Sequence, residues 1–249
     1  MKSPAKVSSG SSAANAVAAR IGSLDALRGV AIVAMIAYHL GYDLRYFGVT
    51  HSDLEHDWRW IGPRSLILAS FLAIAGISAV LAEHRSRPLV HWLRHVLVIA
   101  GAALLVSAGS WMLFPRSFIW FGVLHAIAVS LVLAKPLVAR PVLAAFAGIL
   151  VIVAGATYTD PLFDTRTLGW IGFMTGKPVT EDYVPLFPWL GVLLVGIALG
   201  HALVRSRFAA LAPLARLPGT LRFLGRHSLL VYLLHQPLLI GLLWLALKT

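Results

Sequence analysis

The sequence predicts an all-α fold, a polytopic membrane helix bundle of about seven transmembrane helices with its amino terminus inside. Three observations carry that reading. First, the 249-residue chain is 59% hydrophobic and only 12% charged, with a mean hydropathy of +0.82, a surface that no soluble domain of this size could present without aggregating. Second, its apolar residues fall in seven blocks, at about 24–43, 65–83, 92–113, 118–135, 141–158, 187–204 and 228–247, each near the ~20 residues a helix needs to cross the hydrocarbon core. Third, the basic residues alternate between loops. Thirteen Lys and Arg fall in the tail and in the second, fourth and sixth connections, against seven on the other side, which also holds most of the acids. The positive-inside rule then places the amino terminus in the cytoplasm.

Residues 1–20, MKSPAKVSSGSSAANAVAAR, are rich in Ser and Ala and lack an apolar core, so they read as a disordered cytoplasmic tail and not as a cleavable signal peptide. Residues 21–249 read as a single transmembrane domain, since no linker is long enough to divide them. The formal charge of +11 and pI near 10.7 would suit a nucleic-acid partner if the basic residues formed one surface. They are scattered through short loops, so the expected partner is the lipid bilayer and no nucleic acid is expected. With no cysteine, disulfides, thiolate metal sites and a cysteine acyl carrier are excluded, and no metal is expected.

The first block, LDALRGVAIVAMIAYHLGYDL, holds Arg28 and His39 inside a lipid span, where ionisable groups are costly and mark function. Eleven residues of α-helix return to within about 20° of the start, so the two share a face roughly 16 Å apart along the axis. Asp25 lies three residues before Arg28, and Asp43 four after His39, on the same stripe. Asp43 could orient His39 as a general base, although capping of the helix end explains it as well. Snorkelling with Asp25 as partner is the plainer account of Arg28. Two further intramembrane histidines, His125 and His235, have plain accounts too, as a helix-packing group and as a ligand of carbonyls freed by a kink at Pro237. The outer loops at about 44–64 and 159–186 are long and carry His51, His56 and several aromatics, which suits lids or binding elements. Gly191, Gly196 and Gly200 suit close helix packing.

LDALRGVAIVAMIAYHLGYDL, followed by FGVLHAIAVS, DYVPLFPWLGVLLVGIALG and LGRHSLLVYLLHQP, resembles the bacterial membrane proteins related to the heparan-α-glucosaminide N-acetyltransferase catalytic domain. The spacing of Arg28 and His39 and the segment SLLVYLLHQP also look like the wider acyltransferase-3 group. The resemblance implies a multi-pass enzyme of the bacterial inner membrane. Such an enzyme takes an acyl group, in the first instance acetyl, from cytosolic acetyl-CoA and passes it to an amino or hydroxyl group of an outer-face acceptor such as a sugar. It further implies Arg28, Asp25 and His125 on the acyl-CoA side, and His56, Trp189, His235 and Gln236 on the acceptor side. His39, with Asp43, takes the catalytic histidine position of the acyltransferase-3 pattern. In the lysosomal acetyltransferase that position looks like Asn, and the active histidine in the following loop corresponds roughly to His51, so both candidates stand. An acyl-histidine intermediate and a homo-oligomer stay open. Two rival classes are a proton-coupled transporter using the Asp–Arg–His–Asp stripe and a haem protein with His39 and His125 as axial ligands.

Overall fold

In the computed structural model, residues 8–247 are described except 52, 54, 55, 86 and 87, with side chains from Gly22 onward. The elements are α1 (Ser8–Tyr46), α2 (Trp58–Glu83), α3 (Leu89–Leu113), α4 (Val123–Ala134), α5 (Pro141–Thr157), the single turn α6 (Arg166–Gly169), α7 (Leu186–Arg205), α8 (Gly219–Arg226) and α9 (Ser228–Leu247). Among the described residues there is no strand, only an isolated parallel bridge between Phe121 and Tyr183. The all-helical expectation therefore holds. Among the described residues, five helical stretches are long and apolar enough to cross a membrane: Gly22–Tyr46, Trp58–Glu83, Leu89–Leu113, Leu186–Arg205 and Ser228–Leu247. The other two expected spans are shorter apolar helices, Val123–Leu137 and Pro141–Thr157. The block expected from about 118 becomes helical only at Val123, because the backbone of Phe121 bonds to Val184 instead of continuing a helical ladder. Helix α1 begins at Ser8, within the segment read as a disordered tail; residues 1–7 of that segment lie outside the described residues.

The distribution of polarity is that of an integral membrane protein. Leu230, Leu234, Leu238 and Leu242 of α9 are exposed, while His235 of the same helix is only 8% exposed. Water would demand the reverse, whereas lipid accepts leucine outside and drives polar side chains inward.

The chain divides into two compact units, Met1–Arg64 with Leu203–Thr249, and Ser65–Ala202. In the first unit, α1 and α8 cross at backbone contact. A Cβ on Gly29 would fall on the carbonyl of Leu221, and one on Gly225 on the carbonyl of Asp25, so only glycine permits the crossing. In the second unit, α7 meets α2 and α5 through glycines on two sides. A Cβ on Gly196 would strike Ala73, one on Gly200 would press on Ile77 and Val80, and one on Gly191 would meet Gly148 and Ile152. The packing role expected of these three glycines is the one they have.

Candidate functional site

On the polar stripe of α1 the two carboxylates are buried and Arg28 and His39 are half-buried. Asp25 is 5% exposed and Asp43 2%. Towards the start of the apolar stretch, Arg28 Nη1 donates to Asp25 Oδ1 at 2.9 Å, which offsets the cost of placing the guanidinium within the span.

Near the other end of α1, four of the residues singled out in the sequence come together. The rings of His39 and His235 lie 4.8 Å apart between centroids at an angle of 61°. Next to them, Gln236 Nε2 donates to Asp43 Oδ1 at 2.6 Å. His235 Nδ1 donates to the carbonyl of Tyr232, so backbone of its own helix fixes the ring. Tyr38 makes edge contacts with both His39 and Trp60, and the Trp60 ring in turn lies where a Cβ on Gly41 would be.

One expected contact is replaced. The carboxylate of Asp43, one turn from His39, is engaged by Gln236, and His39 Nδ1 is buried without a hydrogen-bond partner. Asp43 therefore does not orient His39 here. The reason is geometric, since the Gln236 amide faces the carboxylate directly from α9 and takes it in place of the imidazole one turn back on the same helix.

His39 Nδ1, His235 Nε2, Asp43 Oδ2 and Gln236 Oε1 are all buried and unpaired. Each such atom costs about 1–3 kcal/mol, and native interiors rarely leave polar atoms in this condition. Four of them on facing turns of α1 and α9 make a cluster that packing alone would not retain. It is suited to hold and deprotonate a hydrogen-bond donor, because three of the four atoms are acceptors once Gln236 Nε2 and His235 Nδ1–H are spent.

The remaining predicted residues lie elsewhere in the chain. His51 is exposed in the α1–α2 connection, and His56 is exposed there too, with Nδ1 3.2 Å from Asp53 Oδ2. His125 and Trp189 belong to the second unit. Gly122 N donates to His125 Nδ1 at 3.2 Å, so Nε2 carries the proton and faces Ser107 Oγ, also at 3.2 Å; Ser107 Oγ in turn donates to the carbonyl of Ile119 at 2.6 Å. Both nitrogens of His125 are committed, which removes it as an axial ligand for haem and gives it the structural role of closing the start of α4. Trp189 is half-buried in the first turn of α7.

The loop before α7 is tied to the segment before α4. Val123 N donates to Asp182 Oδ2 at 2.9 Å, placing a carboxylate on the α4 amino terminus, and Thr180 Oγ1 donates to the Phe118 carbonyl at 2.8 Å. Tyr183 donates to the carbonyl of Gly169 at 2.6 Å; burial, helped by Asp164, pushes its phenol up to about 12, so it remains a donor at neutral pH. Sequence reasoning passed over Tyr232 and Tyr38. Tyr232 stands three residues before His235, the spacing at which a side chain reaches back to a carbonyl, and that was the available signal. Among the described residues no group of three or more His, Cys, Asp or Glu side chains is placed to hold a metal ion.

No curated protein and no solved structure matches the chain. The family model described as heparan-alpha-glucosaminide N-acetyltransferase, catalytic, matches residues 20–237, a stretch that holds every cluster above. That match lends no support to a transporter. Because it spans well over half of the sequence, this membrane-embedded chain belongs to the heparan-alpha-glucosaminide N-acetyltransferase catalytic family, a family of membrane acetyltransferases.

Proposed function

We propose that the chain moves an acetyl group from cytosolic acetyl-CoA to an amino or hydroxyl group of an acceptor, a sugar, at the outer face of the membrane. The observation that carries the reading is the buried cluster of His39, His235, Asp43 and Gln236 with its four unpaired polar atoms, in a chain of an acetyltransferase family. Transfer to an amine or alcohol requires a base for the acceptor's proton, and an imidazole serves near neutral pH. His39 is assigned that part, with His51 as the alternative. Gln236 holds Asp43 and, with His235, lines the acceptor side. Arg28, held by Asp25, lies about three turns along α1 from His39 and is assigned to the acyl-CoA, whose phosphates and pantetheine arm offer it acceptors. His125 is left out of the site by its own hydrogen bonds.

Acetyl-CoA is expected to stabilise the purified protein in detergent by about 2.7 kcal/mol at a hundredfold excess over Kd, read as a rise in melting temperature. Arg28→Ala is expected to lose most of that rise. A wild-type protein that no acyl-CoA stabilises would remove the basis of the reading.

The orientation follows from the thirteen-to-seven division of Lys and Arg, and the native absence of cysteine makes it simple to check. A single cysteine at Gly176, where nothing lies within 4 Å of a Cβ, is expected to react with an impermeant maleimide in intact cells. One at the exposed Ser206 is expected to react only after lysis. The opposite pattern would invert the topology and put the acceptor side in the cytoplasm.

A further inference from the structure

The ring that faces His39 from α9 is that of His235. A carbonyl oxygen only accepts, so the bond from His235 Nδ1 to Tyr232 sets the proton on Nδ1 and leaves a lone pair on Nε2. That Nε2 is buried and unpaired, and so is Nδ1 of His39, whose ring lies 4.8 Å away between centroids. Asp43, the expected partner, has one oxygen engaged by Gln236. The ring of Tyr38 also meets His39, edge to face.

We propose that His235 is a positioning residue for His39, accepting a hydrogen bond from His39 Nδ1–H once His39 has taken up the acceptor's proton. This rests on the reading of His39 as the base. In the transfer, the nitrogen or oxygen of the acceptor forms a bond to the thioester carbonyl carbon and gives its proton to His39 Nε2. The carbon–sulfur bond then breaks, and the leaving thiolate takes the proton from His39, so free CoA thiol is released and His39 returns to its neutral form. Between those events His39 carries N–H on both nitrogens and needs an acceptor for the second. His235 Nε2 is that acceptor. A neutral imidazole performs the task that a carboxylate performs in a catalytic triad without adding a second charge to the lipid span.

The experiment uses the full chain in detergent, with acetyl-CoA as donor and glucosamine as the probe acceptor, and follows release of the CoA thiol. Since the protein has no cysteine, that thiol is the only one present. His235→Leu is expected to lower kcat by about 10²-fold with KM for acetyl-CoA unchanged. His235→Gln, which restores an acceptor oxygen, is expected to regain at least tenfold of that loss. Variants that both stay within twofold of wild type, or that both fall equally, overturn the proposal. If His235→Leu fails to fold, judged by its melting transition, His235→Met takes its place under the same criterion. Absence of thiol release by the wild type sinks the underlying reading and the proposal with it, whereas an active wild type with indistinguishable variants sinks the proposal alone.

Discussion

His39→Ala is expected to cut acetyl-CoA turnover by roughly 10²–10⁴-fold while acetyl-CoA still raises the melting temperature, because the substitution removes a base and leaves Arg28 and Asp25 in place. The warrant is joint. His39 is the residue of α1 whose Nδ1 is buried and unpaired, it faces His235 across 4.8 Å, and it adjoins the Asp43–Gln236 bond. His51 has none of these features and is exposed. His51→Ala is therefore expected to retain turnover within a fewfold of wild type. Near-normal turnover in His39→Ala together with its loss in His51→Ala would move the chemistry to the outer loop. Asp43→Asn is expected to cost less than His39→Ala, since the amide can still meet Gln236 after reorientation and Asp43 does not hold the His39 ring.

The second large effect concerns stability. Gly225→Val is expected to destabilise the protein by about 3 kcal/mol or more, the upper range for forcing bulk into a packed contact. Its Cβ would lie on the Asp25 carbonyl, and neither backbone can retreat without parting α1 from α8. Gly29→Val, which meets the Leu221 carbonyl at the same crossing, is expected to behave alike. The double variant is expected to lose less than the sum, because one separation of the helices relieves both clashes. Gly101→Ala on α3, with nothing within 4 Å, is the contrasting case and is expected to be neutral or to gain up to roughly 1 kcal/mol from helix propensity. Melting in detergent distinguishes these outcomes. A Gly225→Val protein that melts with the wild type would show that α8 does not press on α1 as closely as described.

Much of this protein is decided by local sequence. The apolar blocks and their lengths set where helices can cross lipid, because a backbone without water must satisfy its own hydrogen bonds. The 3.6-residue repeat alone places Asp25, Arg28, His39 and Asp43 on one stripe of α1, and a stripe of ionisable groups within a span must be buried. The family, too, was legible, since its segments stand in order along the chain.

What local sequence could not decide is which side chains meet. Asp43 is one turn from His39, yet it accepts a hydrogen bond from Gln236, 193 residues away. His39 faces His235 on α9. His125 looked equivalent to the other two histidines by burial and type, but the start of α4 and Ser107 of α3 occupy both its nitrogens. These pairings depend on how α9 lies along α1 and α4 along α3, which no single helix specifies. Helical periodicity is a property of neighbours within about a turn and fixes direction on one helix. The partner that a side chain finds in that direction is a property of the tertiary structure, because hydrogen bonds discriminate over tenths of an ångström and only docked helices define distances that finely.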